Sequence, residues 1–366
     1  MNSRPIAFFL SELHGGGAQR VIVNLANDFA QRGLSVDLVL AKAEGAYLSK
    51  VAPKVRIVNL QASKLIYSLF PLVEYLHKAE PKWLISGLSG ANLLAIAAKF
   101  LTKSNCKCMI TIHNNLVKTA NNQVYQRRKL LPYLQRLFYS SSDVIVAVSQ
   151  GVADSLTEVT GIAPAKIQVI YNPIVTPQIE QMASEVPEQD FFDDGLPVIL
   201  GVGRLNQQKD FANLIRAFAI AKKGQPARLI ILGEGEERSQ LEALVTELDL
   251  ADSVCLPGFV NNPYVYMARA SVLVLSSAWE GFGNVLVEAM ACGTKVIATD
   301  CPSGPREILE GGKYGKLVPT EDPESLATAI ANSLISLDNS EILRTRATDF
   351  SVRRISQQYL DLIGDR

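Results

Sequence analysis

Short apolar runs alternate with stretches of helical periodicity along most of the chain. Residues 5–10 form a compact apolar run, which predicts a buried strand, and the glycines at 15–17 break it. Val21, Leu25 and Phe29 then recur every four residues, with Ile22 and Ala26 beside them. That spacing marks one apolar helix face, and Gly33 marks its end. Further strands are predicted at residues 36–40, 55–60, 83–86, 109–113, 144–148 and 168–170. Tyr171-Asn172-Pro173 stops this series, and residues 175–197 are polar, acidic and aperiodic, which predicts a linker. A second series opens at residues 197–202 and continues at 228–232, 254–256, 272–275 and 295–298. The chain closes with a predicted helix at about 352–363, carrying Ile355, Tyr359 and Leu362/Ile363 on one face.

Strand–helix alternation of this kind implies an α/β fold with parallel, doubly wound sheets. The expected plan is a Rossmann-like domain at residues 1–175, a linker at 176–196, a second Rossmann-like domain at 197–350 and a closing helix at about 351–366. The two series are alike in architecture without being a sequence repeat. Ligands of open parallel sheets bind beyond the carboxyl ends of the strands. Two such domains face to face would direct their loops into one cleft, so the loops are where the chemistry is to be sought.

The 366 residues carry no net formal charge, but the charge is divided unevenly. Residues 1–175 hold 19 Lys+Arg and 9 Asp+Glu, while residues 176–366 hold 17 and 27. A basic first half is suited to an anionic partner, such as a phospholipid surface or a diphosphate-linked acceptor. Nucleic acid is disfavoured, because no basic platform with interleaved aromatics is visible. Five cysteines and no secretory signal point to reduced thiols in a cytosol. Three histidines, His14, His77 and His113, are too few for a His-rich metal site. The longest weakly polar run, residues 87–101, is shorter than the ~20 residues of a spanning helix, so no transmembrane helix is expected.

Three loops carry candidate chemistry. The first is His14-Gly15-Gly16-Gly17-Ala18-Gln19-Arg20, where glycines between a strand and a helix let backbone N–H groups approach an anion. The second is Gly201-Val202-Gly203-Arg204-Leu205, followed by Gln208-Lys209-Asp210. Arg204 as a fork and Lys209 as a point charge suit a diphosphate. The third runs Trp279-Glu280-Gly281-Phe282-Gly283-Asn284-Val285 and on to Glu288, Cys292 and Gly293. Its glycines predict a turn, and a helix beginning near Asn284 offers free N–H groups to a phosphate or sugar hydroxyl. Glu280 and Glu288 are acceptors for vicinal hydroxyls.

These motifs, in this order, resemble glycosyltransferase family 4, also called group 1, whose members are retaining enzymes of the two-domain GT-B fold. The resemblance is strongest over residues 197–320 and looser over the rest of the chain. It implies that Arg204 and Lys209 bind the donor diphosphate, Glu280 the hydroxyls of the transferred sugar, and Glu288 the nucleotide ribose. It further implies that Gly16 and Gly17 lie beside the phosphates and that His113 faces the donor sugar. The backbone near Gly258 and Phe259 would read the base edge, with residues 232–235 as neighbours, and Gly281, Phe282, Gly283, Asn284 and Val285 would line the donor site. The closing helix would cross back to pack on the first domain.

No Asp-X-Asp occurs, so no metal and no other cofactor is expected, and side-chain cations must meet the leaving-group charge. The expected donor is a nucleotide diphosphate sugar, with UDP as the leading nucleotide, and the sugar a hexose or an N-acetylhexosamine. Residues 118–139 mix Lys118, Arg127, Arg128, Lys129 and Arg136 with Leu130, Leu131, Leu134, Leu137 and Phe138. Such a stretch suits peripheral membrane contact and a glycan or lipid-linked acceptor, or equally a core-packed helix with snorkelling cations. The rival readings are a nucleotide-sugar epimerase on the same scaffold and a non-catalytic nucleotide-sugar-binding protein.

Overall fold

The computed structural model describes residues 4–121, 131–187, 192, 195–336 and 340–364. The chain divides into two compact units, residues 1–173 with 352–366, and residues 174–351.

The first unit is built from β1 (Ile6–Leu10), α1 (Gly17–Gln31), β2 (Val36–Leu40), β3 (Arg56–Asn59), α2 (Leu69–Ala79), β4 (Trp83–Gly87), α3 (Ser89–Thr102), β5 (Lys107–Ile112), α4 (Leu116–Asn121), α5 (Leu131–Tyr139), β6 (Val144–Ala147), α6 (Gln150–Thr160) and β7 (Ile167–Val169). All seven strands pair in parallel, in the order β3-β2-β1-β4-β5-β6-β7. Ile6 stands opposite both Val36 and Trp83 in register. β1, β2 and β4 are buried along their whole length, which explains why they are mostly apolar without alternating, the one buried charge, Asp37 in β2, being met by Arg56 and Tyr75. The order reverses between β1 and β4, so the glycine turn after β1 stands at the switch point of this sheet.

The second unit holds α7 (Gln178–Ala183), β8 (Val198–Val202), α8 (Phe211–Ala221), β9 (Arg228–Leu232), α9 (Arg238–Glu247), β10 (Val254–Gly258), α10 (Tyr264–Arg269), β11 (Val272–Leu275), α11 (Asn284–Cys292), β12 (Val296–Thr299), α12 (Pro305–Ile308), β13 (Lys316–Val318), α13 (Pro323–Ile335) and α14 (Ser340–Ala347). Its sheet is also parallel, in the order β10-β9-β8-β11-β12-β13. Here the reversal falls between β8 and β11, strands far apart in sequence but hydrogen-bonded side by side. The loops that follow these two strands therefore meet, and they are the loops that carry Lys209 and Glu280.

A last helix, α15 (Val352–Gly364), returns to the first unit. Ile355, Tyr359 and Ile363 join the core formed by Phe8, Phe29, Leu38 and Trp83. The Trp83 indole donates to the Ile363 carbonyl (3.2 Å), and the Arg32 guanidinium donates to Gln357 (2.7 Å) and to the Arg353 carbonyl (2.8 Å).

Three expectations are corrected. The stretch read as a linker contains α7, which packs on α10 and α11 through a buried Ile179, and Asn262 donates to the Met182 carbonyl (2.8 Å). One buried residue in six gives no detectable periodicity, so polarity dominated the reading. β13 was not anticipated, since it is three residues long and only Val318 is buried. β5 ends at Ile112, so His113 follows the strand rather than closing it. All five cysteines are unpaired. No helix among the described residues is long and apolar enough to cross a membrane. Of the basic stretch 118–139, Arg127, Arg128, Lys129 and Leu130 lie outside the described residues.

The Tyr359 ring is fully buried in the first unit's core. Tyr359→Ala should lower unfolding free energy by about 3–5 kcal/mol in denaturant titration. Exposed Gln358→Ala on the same helix should change it by less than about 0.5 kcal/mol. Equal effects would show that α15 does not complete this core.

Candidate functional site

In the second unit the loops after β8 and β11 are fastened together. The Ser276 hydroxyl donates to the Lys209 carbonyl (2.8 Å) and the Ala278 N–H to the Gln208 carbonyl (2.9 Å). The Gln208 amide donates in turn to the Trp279 carbonyl (3.0 Å). Within this lattice Lys209 Nζ forms an ion pair with Glu280 Oε1, and the Ser277 hydroxyl donates to the same oxygen (2.7 Å). Glu280 is buried, and an ionised carboxylate in that position needs both a counter-charge and a hydrogen-bond donor. Lys209 supplies the first and Ser277 the second.

A further layer supports this pair. Thr299, at the end of β12, donates its hydroxyl to the Ser277 carbonyl (2.5 Å). Cys301 follows as a buried thiol, pushed up to about 12 by burial with the charge of Glu280 adding to it, so it stays protonated. Gly304, at φ 91°, approaches the Glu280–Gly283 turn so closely that a Cβ there would lie 1.9 Å from the Phe282 carbonyl oxygen. Only glycine allows that contact.

Lys209 reaches back over the β8 loop that carries Arg204. The Lys209 stem lies over Gly203, where a Cβ would be 3.1 Å from Lys209 Cε. Arg204, the next residue, is exposed and has no hydrogen-bond or ion-pair partner among the described residues. The Gly203 N–H donates to the Leu232 carbonyl (2.9 Å) and the Leu205 N–H to the Glu234 carbonyl (2.9 Å), binding this loop to the one after β9. That loop is bound in turn to β10, since the Gly233 N–H donates to the Gly258 carbonyl (2.8 Å). Gly258 is buried, whereas the Phe259 ring beside it is 72% exposed.

Gly281 and Phe282 lead into α11, whose cap is Gly283 in the left-handed region, with Asn284 and Val285 opening the helix. No side chain hydrogen-bonds the helix start as a cap. Glu288 is buried in the second turn of that helix. The structure thus gathers Arg204, Lys209, Glu280 and the 281–285 turn onto neighbouring strand ends.

The remaining predicted residues belong to the first unit. Gly15 and Gly16 adopt φ of 135° and 149°, with nothing within 4 Å of where a Cβ would stand. Gly16 caps α1, which begins at Gly17. His113 lies after β5 with Nε2 2.9 Å from Thr111 Oγ1. The Thr111 hydroxyl donates its one proton to the Ser86 carbonyl (2.9 Å), so it accepts from His113 Nε2–H. Nδ1 then carries a lone pair, and it is buried without a partner among the described residues. Burial pushes His113 down to about 4, so the ring is a neutral hydrogen-bond acceptor at physiological pH.

Ser276, Ser277 and Thr299 were not singled out from the sequence. Their signal was present: hydroxyl residues stand at the carboxyl ends of two adjoining apolar strands, where an apolar residue is the default. What they bond to is visible only once the strand order is known.

The two parallel-sheet units with their glycine-rich and charged loops define an α/β protein of two Rossmann-like units, and comparison with known proteins gives its class. Residues 182–349 match the family described as Glycosyl transferases group 1, and residues 15–177 match Glycosyltransferase Family 4. The chain is 30% identical over 381 residues, covering 98% of both chains, to an N-acetylgalactosamine-N,N'-diacetylbacillosaminyl-diphospho-undecaprenol 4-alpha-N-acetylgalactosaminyltransferase of Campylobacter jejuni. It is 29% identical, over 96% of both chains, to the lipopolysaccharide core biosynthesis glycosyltransferase LpsE of Rhizobium meliloti. Anabaena HepE in complex with UDP and glucose superimposes with a TM-score of 0.79 at 21% identity, with both chains fully covered. The chain belongs to the group 1, family 4 glycosyltransferases and is a nucleotide-sugar glycosyltransferase with the two-domain Rossmann-like fold.

The lowered pKa of His113 has a consequence for stability. Above the ordinary value of 6.5 the ring is neutral in folded and unfolded chains alike. As pH falls from 6.5 toward about 4, the unfolded chain takes up a proton that the folded chain refuses, so stability is lost across that window. His113→Gln should flatten the decline in unfolding midpoint measured between pH 7 and 4.5. Parallel curves for the two proteins would show that the ring titrates normally.

Proposed function

We propose that this enzyme transfers an N-acetylhexosamine from its UDP-sugar to a hydroxyl of a lipid-linked glycan, with retention at the anomeric carbon and without a metal ion. The observation that carries the reading is the Lys209–Glu280 pair, buried where β8 and β11 adjoin, with Arg204 in the same loop and without a partner among the described residues. On this reading Arg204 and Lys209 hold the diphosphate and Glu280 receives the hydroxyls of the sugar. Glu288 holds the ribose, Gly258 and Phe259 face the base, and the 281–285 turn offers its N–H groups to the phosphates. On the first unit, Gly16 and Gly17 contribute backbone N–H groups and His113 a neutral acceptor nitrogen. The relative named above acts on a diphospho-undecaprenol substrate, and a second C. jejuni relative, 24% identical over 98% of both chains, is likewise named an N-acetylgalactosaminyltransferase acting on a PP-undecaprenol glycan.

In the proposed step the bond from the anomeric carbon to the diphosphate oxygen breaks. The acceptor oxygen bonds to that carbon on the same face, and the departing diphosphate oxygen takes the acceptor's proton. Negative charge grows on the diphosphate as it leaves, so fixed cations there lower the barrier more than they stabilise the ground state. Among the described residues one group, Glu12, His14 and Glu44, has the spacing of a metal site. It belongs to the first unit and includes none of the residues assigned to the donor.

Turnover is read as UDP release from UDP-N-acetylgalactosamine and UDP-N-acetylglucosamine with a polyprenyl-diphosphate-linked glycan. Lys209→Ala and Arg204→Ala should each lower kcat/KM by about 100-fold or more, and EDTA should leave it unchanged. Full activity in either variant, or loss in EDTA, overturns the metal-free account. A preference for UDP-hexoses would move the donor assignment and leave the rest.

Lipid contact is assigned to the first unit, where Tyr133, Leu134 and Leu137 of α5 are exposed beside Arg136. Flotation with anionic liposomes should carry the protein upward at low salt and release it at high salt. Protein remaining at the bottom of the gradient at low salt would refute this contact.

A further inference from the structure

The carboxylate of Glu280 is anchored on one side only. Oε1 accepts from both Lys209 and Ser277, and Oε2 has no hydrogen-bond partner among the described residues. A carboxylate serving only to tie two loops together would gain from donors on both oxygens. Here one oxygen is held and the other left available. The holding group is itself held: Ser277 is fully buried, and its carbonyl accepts from Thr299, also fully buried, in the neighbouring strand.

Lys209 cannot serve Glu280 and a diphosphate equally. A diphosphate carries more negative charge than a carboxylate, and the ammonium lies on a flexible stem, so a bound donor draws it away. Among the described residues Ser277 is then the one donor left on Oε1, and the sugar hydroxyls complete the carboxylate's hydrogen bonding through Oε2. We propose that Ser277, fixed through Thr299, is a positioning residue that keeps Glu280 Oε2 aimed at the donor sugar once Lys209 has turned to the diphosphate. The inference rests on the donor-site reading given above. It adds a specificity element: the Thr299–Ser277–Glu280 chain acts on the sugar half of the donor and not on the nucleotide half.

That division sets the test. The probes are UDP and whichever of UDP-glucose, UDP-galactose, UDP-N-acetylglucosamine and UDP-N-acetylgalactosamine binds the parent protein most tightly by titration calorimetry. Ser277→Ala should bind UDP as the parent does, within about twofold, and bind the sugar nucleotide about tenfold more weakly, the value of one hydrogen bond to a charged group. KM for the donor should rise in step. Thr299→Val, which removes the hydroxyl while keeping the shape, should weaken the sugar nucleotide in the same sense, and Thr299→Ser should restore it. If Ser277→Ala does not fold, the Thr299 pair decides the question. Equal weakening of UDP and sugar nucleotide, or no weakening of either, overturns the proposal. A parent protein that binds none of the five compounds overturns the donor-site reading itself, and this inference with it. Parent binding with variants indistinguishable from it removes this inference alone.

Discussion

A carboxylate taken out of water must be met by a positive charge and a donor in fixed positions, and the architecture of the second unit follows from meeting that demand at Glu280. Parallel strand order supplies the means. Because β8 and β11 adjoin, a lysine and a glutamate 71 residues apart in sequence are delivered to one place by rigid elements. The hydrogen bonds from Ser276, Ala278 and Gln208 then hold the two loops at the separation the ion pair requires. Glycine at 203 and 304 lets backbone and side chain approach closely enough for the lattice to close. The two loops are thus fastened to one another by the chain's own hydrogen bonds.

The two units present different chemistry. The second offers cations and carboxylates on neighbouring strand ends. The first offers an open glycine turn and an uncharged imidazole whose tautomer is set by Thr111 and Ser86. Burial keeps His113 neutral.

Much of this was legible in the sequence, for a physical reason. Central strands buried on both faces become mostly apolar runs, and β1, β2, β4, β8 and β11 are legible within a residue or so of their ends. Arg204, Lys209, Glu280 and Glu288 came from loop motifs in a fixed order. What escaped was whatever depends on a single contact. α7 is anchored by one residue, Ile179, and β13 is a three-residue edge strand with Lys316 exposed. Ser277 and Thr299 are ordinary residues whose meaning lies in which strand stands beside which. The tautomer of His113 likewise required the hydroxyl of Thr111 to be located and its proton assigned.

The return of α15 to the first unit governs the order in which the chain can be completed as it is synthesised. Ile355, Tyr359 and Ile363 fill the first unit's core, yet they are translated after the whole of residues 174–351. The amino-terminal half therefore emerges from the ribosome with an apolar groove beside Phe29 and Trp83 uncovered, and waits through some 180 residues of synthesis for its last helix. The second unit has no such wait, because its two ends meet: the Ile174 and Val175 N–H groups both donate to the Phe350 carbonyl. Its sheet can close as soon as that segment is made, so the later-translated half is the one free to finish first.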